Sequence, residues 1–305
     1  MNNLELPWLK AFKEITKFDK EIFEEYCTDA EFADCTFSSL YAWQETFHYV
    51  YKIFGDVLVV LETRGDISAI LFYKENADIS DTMLQLYDLF KNSSLSLQFR
   101  YVAKSQLKFF EKLAARIGKK ISYSASPEDS DYIYLSSDFL CLDGKANKGK
   151  RSGLNSLARL YPELRIEKYK KDTSKKDDCY GIFEKWCDQY ICGNCFYGCE
   201  KEAFQRFLEV YDENKHEIYI SYYKNMPLSF AACEKINHEI ICCVFQKNSS
   251  RIRGLMYWMN REILLRNIDI KYLNLGEDMG IAGIRIDKSS LHPCDKKEKY
   301  LVIIQ

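Results

Sequence analysis

Three apolar runs in close succession, YVYKIF (49–54), VLVVLE (57–62) and ISAILFY (67–73), are separated only by GD and TRGD. The arrangement returns in HEIYISYY (216–223), LSFAACEKI (228–236) and EIICCVFQK (239–247), joined by KNMP and NH. Short runs rich in Val, Ile, Tyr and Phe, linked by tight-turn residues, predict antiparallel meanders. The surroundings also repeat. In the first half, helices are expected over 18–27 and 37–47, then the meander, a helix at 80–91, a strand at 95–102, a helix at 104–117 and a strand at 132–135. In the second, a strand at 164–169 and helices at 177–190 and 200–213 precede the meander, and a helix at 254–267 and strands at 271–275 and 300–304 follow it. The common order predicts one α+β unit used twice. A chain of 305 residues is long enough for two domains of roughly 150 residues each. The glycine-rich, basic stretch CLDGKANKGKRSG (141–153) sets the expected boundary, giving domains 1–140 and 141–305.

Composition narrows the function classes. With 47% hydrophobic and 29% charged residues the chain reads as a well-buried globular protein. No apolar run approaches the ~20 residues of a membrane span, and the opening MNNLELPWLK lacks a signal-peptide pattern, so the expectation is a soluble cytoplasmic protein. In that compartment the twelve cysteines are expected to stay reduced and to serve as small core residues. Cys187, Cys192, Cys195 and Cys199 have a spacing that zinc or an iron–sulfur cluster could use. Cys187, however, falls on a predicted helix beside Trp186, and no metal is expected. His48, His216, His238 and His292 are scattered and offer no ligand pair.

Charge is unevenly placed. Residues 145–171 hold nine Lys/Arg against two Glu, a local +7 in a chain whose net charge is −2. Such a run is either a solvated helix face or a surface for an anionic partner. Lys150 and Arg151 are expected to open a helix whose basic face borders a cleft. A second cationic feature is the loop KNSSRIRGLMYW (247–258), which leaves a strand and enters a helix, so that backbone N–H groups and the helix N-terminus face outward with Arg251 and Arg253 beside them. The structural alternative is a helix start capped by Ser249 or Ser250.

The third feature is LNLGEDMGIAGIRIDKSSLHP (273–293), polar and glycine-rich beyond its first residues and therefore costly to order unless its charges hold something. Three glycines are expected to turn the backbone sharply over 276–283. Asp278 is the candidate proton acceptor for an attacking amine, with Arg285 and Lys288 as candidate ligands of a phosphate or carboxylate. The alternative is an Asp278–Arg285 salt bridge that fixes the turn.

The element order resembles the acyl-CoA N-acyltransferase (GNAT) fold. Asn274, Asp278, Gly280, Gly283-Ile284-Arg285, Lys288, Ser290 or Ser289, and Pro293, together with KGKRSGLNSLARLYPELRIEKY (148–169), resemble the C-terminal domain of bacterial phosphatidylglycerol lysyltransferases. The whole chain is similar to the tandem soluble members of that family, which is related to the Fem aminoacyltransferases. The resemblance implies two tandem GNAT-like α+β domains, with the active cleft in the second. It also implies transfer of an acyl group from aminoacyl-tRNA, or a similar phosphate-bearing donor, to an amine or hydroxyl. Acetyl-CoA is the alternative donor, and a non-catalytic binding module the alternative class. The implied partners are an anionic donor ligand and tRNA, with no covalently bound cofactor. The implied ligand-binding residues are Lys150, Arg151, Arg251, Arg253, Gly254, Asn274, Arg285 and Lys288. Two positions depart from the pattern: Gln246–Lys247 replaces a Glu-Lys pair, and Met256 stands where a coenzyme A loop has a small residue.

Overall fold

The computed structural model describes residues 6–305 apart from 28–30, 75, 76, 92, 94, 172–174 and 191–197. Its strands are β1 (Lys13–Glu14), β2 (Tyr49–Phe54), β3 (Val57–Glu62), β4 (Ser68–Tyr73), β5 (Leu97–Val102), β6 (Ile121–Ala125), β7 (Asp131–Leu135), β8 (Arg165–Lys168), β9 (His216–Tyr223), β10 (Met226–Lys235), β11 (Ile240–Asn248), β12 (Tyr272–Asn274), β13 (Asp295–Lys297) and β14 (Tyr300–Ile304). They form two seven-stranded sheets, β1-β2-β3-β4-β5-β14-β6 and β8-β9-β10-β11-β12-β7-β13.

The two orders match position by position. Both meanders are antiparallel. In each sheet the fourth and fifth strands run parallel, β4 with β5 and β11 with β12. A strand from elsewhere in the chain then lies antiparallel between the fifth and the last. The α+β class and the tandem GNAT-like arrangement expected from the sequence are the ones found.

The boundary differs from expectation. One unit comprises the residues up to Ser130 with Gln205–Val210 and Glu298–Gln305, and the other comprises Asp131–Phe204 and Tyr211–Lys297. The division thus falls at 130/131, 204/205, 210/211 and 297/298, not once at 140/141, and its first and last points follow the strands that each sheet takes from the other end of the chain. The run at 132–135, expected to complete the first half, is β7 of the second sheet, and the run at 300–304 is β14 of the first. The 141–153 stretch lies wholly within the second unit, where Lys148–Leu160 is a helix.

Packing explains the strength of the meander signal. In the first unit every residue of β3 is buried. Val57, Val59 and Leu61 face one cluster with Met83, Leu86, Phe99 and Phe110, while Leu58 and Val60 face another with Phe23, Leu40 and Tyr51. A strand covered on both faces reads as a continuous apolar run, and each such side chain contributes about 1.5–3 kcal/mol on burial. In the second unit, one face of the sheet packs Tyr219, Ala231 and Ile241 against Met259 and Ile263 of the helix Leu255–Arg266. Elsewhere in this unit Phe183, Phe204, Phe230 and Phe245 form a chain of ring contacts. That helix is buried because Tyr257, Met259, Asn260 and Ile263 all turn inward.

Candidate functional site

The parallel register of β11 and β12 ends at Cys242↔Asn274, while β11 continues to Asn248. The chain leaving β12 at this parting builds a polar hub. Asn274 is 1% exposed; its Nδ2 donates to Asp131 Oδ2 of β7 at 2.9 Å, and its Oδ1 accepts from Gly276 N at 2.7 Å. Gly276 (φ 68°), Met279 (φ 53°) and Gly280 (φ 71°) are left-handed, which turns the loop tightly and strains the one non-glycine among them. Gly283 does not take part in the turn as expected, because it lies within the helix Ala282–Ser290.

Asp278 is fully buried. Arg285 donates to it through Nε and Nη2, both at 2.9 Å, Tyr132 Oη donates at 2.7 Å, and Gly280 N donates at 3.0 Å. These four bonds occupy both carboxylate oxygens. The Arg285 bonds above all, with those from Tyr132 and Gly280, hold the Asp278 carboxyl far below the usual carboxylate range despite its burial. Arg285 is held bidentately, yet its side chain stays 45% exposed. Lys288, one helical turn further on, donates to the carbonyls of Leu275, at 2.7 Å, and Glu277. Burial lowers its pKa. Arg285 and Lys288 therefore both strap their helix to the 275–280 loop, and Lys288 spends its hydrogen bonds on backbone rather than facing outward for a phosphate.

Sequence reasoning missed Tyr132 and Lys296. Tyr132 Oη accepts from Lys296 Nζ at 2.8 Å while donating to Asp278, and the ammonium lies 4.0 Å from the ring centroid. The alternation YIYL put Tyr132 and Tyr134 on one face, but nothing local linked that strand to Asp278. Tyr134 Oη donates to the Lys288 carbonyl at 2.8 Å, so both tyrosines support the same helix and loop.

The 247–254 loop combines the expected residues differently. Gly254 (φ 86°) starts the helix Leu255–Arg266 without a side-chain cap. Ser249 instead bonds back to Leu228 O through both N, at 2.7 Å, and Oγ, at 3.0 Å. A Cβ on Gly254 would fall 2.8 Å from Gly153 O, so the glycine is required where the helix Lys148–Leu160 crosses, not where a ligand approaches. Arg251 and Arg253 flank it, both exposed. Gln246 Nε2 donates to buried Asn260 Oδ1 at 2.7 Å, and Lys247 pairs with Glu200 at 2.7 Å over the Trp186 ring.

Lys150 and Arg151 lie in the first turn of the helix Lys148–Leu160, as expected. Arg151 donates to the Leu142 carbonyl and, at 2.8 Å, to that of Gly144, closing the end of the helix Ser136–Cys141. Lys150 is half-buried, with Asn147 Oδ1 at 3.1 Å and the Tyr257 ring centroid at 5.9 Å. Of the cysteine cluster, Cys192 and Cys195 lie outside the described residues, while Cys187 and Cys199 are half-buried thiols. No described helix is long and apolar enough to cross a membrane.

Comparison with known proteins places this arrangement. A conserved protein of unknown function from Bacteroides thetaiotaomicron VPI-5482 superposes with a TM-score of 0.84 at 23% identity, covering 96% of this chain and 99% of that one. The C-terminal DUF2156 domain of a protein assigned as a lysylphosphatidylglycerol synthetase, from Agrobacterium fabrum, gives 0.70 at 14% identity over 94% and 92%. The L-PGS of Bacillus licheniformis gives 0.69 at 12% identity over 95% and 92%. No curated protein sequence matches the chain. The sequence profile described as phosphatidylglycerol lysyltransferase, C-terminal, matches residues 30–303, and the chain belongs to that family.

Proposed function

We propose that the second unit transfers an activated acyl group from an aminoacyl-tRNA, or a similar phosphate-bearing donor, to an amine or hydroxyl acceptor. Family membership supports an acyltransferase-like protein. The observation that carries the finer reading is the buried Asp278–Arg285–Tyr132 clamp, set where β11 and β12 part company. Aminolysis of an ester needs a donor held in line and charge stabilisation at the carbonyl oxygen. The new C–N bond forms as the C–O bond to the ribose breaks, and the amine proton ends on the departing oxygen or on water. In this reading Asp278 is a positioning residue: its depressed pKa makes it a weak proton acceptor, and its four bonds fix Arg285 in one orientation. Exposed Arg251 and Arg253, with Lys150, supply the cationic face for the donor's phosphates. Lys288 and Arg151, bonded to backbone carbonyls, hold the scaffold instead.

Acetyl-CoA is the less favoured donor, because the bare backbone at Gly254 is already covered by Gly153. The test supplies the protein with tRNA charged with radiolabelled amino acids, or with labelled acetyl-CoA, in the presence of small amines and phosphatidylglycerol vesicles. Expected is label transfer from the tRNA, lost in Arg285→Ala, and tRNA affinity that falls steeply with salt. Transfer from acetyl-CoA alone, or salt-insensitive tRNA binding, would overturn the assignment.

A further inference from the structure

Two elements of the second unit carry apolar residues out of the core at one edge. On the helix Lys148–Leu160, buried Leu157 is followed one turn later by Leu160, which is 60% exposed. On β10, buried Leu228 lies next to the start of the strand, where Met226 is 56% exposed. Leu157 and Leu228 belong to one apolar cluster, and Tyr161 and Tyr223 pack against it. The two tyrosine rings meet edge-to-face at 4.9 Å. Leu160 adjoins Tyr161 in the chain, and Met226 is the cross-strand partner of Tyr223, on the same face of the hairpin. Leu160 and Met226 therefore flank one tyrosine pair. The tip that presents Met226 is a two-residue turn, Lys224 and Asn225, both left-handed at φ 48° and 64° and neither a glycine.

Positive charge surrounds this edge. Exposed Arg159 precedes Leu160 and exposed Lys224 sits at the tip, and neither pairs with an acid among the described residues. Arg165, also exposed, donates to Asn225 Oδ1 of the tip at 3.1 Å and to Glu167 at 3.0 Å. The segment 159–165 holds one acid, Glu163. Protruding aliphatic side chains are costly to hydrate. Ringed by cations, they match the boundary of an anionic bilayer, where apolar tips enter the acyl region and Lys or Arg meets the headgroup charge. A nucleic acid, the other polyanion, stacks its bases on open ring faces. Here the tyrosines are packed against each other, and the Lys224 ammonium stands over the Tyr223 ring at 5.3 Å.

We propose that this edge docks the second unit on an anionic lipid surface, with Leu160 and Met226 inserted and Arg159, Arg165 and Lys224 at headgroup level. Docking goes beyond the transfer reaction and does not depend on it, because the contact is with the bilayer and not with a reacting group.

The test is co-sedimentation, without any acyl donor, on vesicles of phosphatidylcholine alone or of phosphatidylcholine mixed equally with phosphatidylserine or with phosphatidylglycerol. Binding is expected to both anionic mixtures and not to the neutral vesicles, and it should weaken as salt rises. Replacing both Leu160 and Met226 with Asn should weaken it about tenfold or more, with the melting temperature unchanged because both side chains are exposed. Arg159→Gln and Lys224→Gln should each weaken it about fivefold. Phe18→Asn, which removes an exposed ring from the first unit, should leave binding as it was. The proposal is overturned if the protein ignores anionic vesicles, or if the doubly replaced variant binds them as the parent does. Binding to phosphatidylglycerol and not to phosphatidylserine would overturn it in favour of a headgroup ligand. Uncharged tRNA that displaces the vesicles, and that loses affinity through the same Leu160 and Met226 replacements, would assign the edge to RNA instead.

Discussion

The two units carry the same sheet order, yet the loops that follow their fifth strands are chemically unlike. After β5 the first unit uses a neutral clasp: Gln106 accepts from Ala103 N at 2.7 Å and donates to Tyr73 Oη at 2.7 Å, over a floor that includes Phe99 and Phe110. After β12 the second unit uses a buried carboxylate with four donors. A neutral clasp suffices to hold a chain segment in place. An ionised group in the same position also fixes the orientation of a charge, and here that charge is Arg285. The fold sets the geometry of the parting strands, and a few polar residues decide which unit can use it.

The contrast breaks most visibly at Asp278. Asp278→Asn keeps the shape, but its amide nitrogen cannot accept the two bonds that one buried carboxylate oxygen now takes, and thermal or urea unfolding of the variant should show a loss of about 3–4 kcal/mol. The pH response follows from the same pair. The folded carboxyl titrates well below its unfolded value, so its stabilisation is complete above the unfolded pKa of about 3.9 and fades as pH falls toward the folded one. Parent and variant should therefore converge in stability below about pH 4 in acid melts. A constant gap down to pH 2 would show that Asp278 acts through something other than its charge.

A smaller effect is expected at the glycine crossing. Gly254→Ala places a methyl group 2.8 Å from the Gly153 carbonyl at a left-handed φ, whereas a Cβ on Gly153 would meet Gly254 Cα at an ordinary 3.6 Å. Denaturation should find Gly254→Ala destabilised by about 2–3 kcal/mol and Gly153→Ala, a helical position with room for the methyl group, neutral or stabilised by up to about 1 kcal/mol. Equal losses would mean that the crossing relaxes and that Gly254 is not held there by packing.

The smallest effect belongs to the first unit. Gln106→Ala removes two neutral hydrogen bonds from a half-buried loop and should cost about 1 kcal/mol, with acyl transfer by the second unit unchanged. Loss of transfer would make the neutral clasp part of the chemistry and erase the distinction drawn between the units.

Much of this architecture was legible because periodicity is a local signal. The meanders, the helix Lys175–Tyr190 and the helix Leu255–Arg266 follow from apolar spacing alone. The exchange of β7 and β14 was not legible, since YIYL and YLVII each fit any sheet that buries one face. The Asp278–Arg285 pair was open to reading because it spans seven residues, whereas the third partner, Tyr132, is 146 positions away from Asp278. Gly254 was read as room for a ligand because sequence shows that a side chain is missing and not what fills its place. Lys288 was read as a ligand-facing cation for a similar reason: a charge in a polar loop does not reveal that two backbone carbonyls already claim it.

The strand exchange also governs the order in which the chain can become a protein. The first unit lacks the strand between β5 and β6 until residues 300–304 have left the ribosome, although apart from Gln205–Val210 the rest of it lies in residues up to Ser130. During synthesis it must wait, with β5 and β6 presenting unsatisfied edges, while the whole second unit is made. The second unit meets no such delay, because β7 precedes every other strand of its sheet. Folding is thereby inverted relative to translation: the second unit can complete before the first, which is sealed only when β14 arrives.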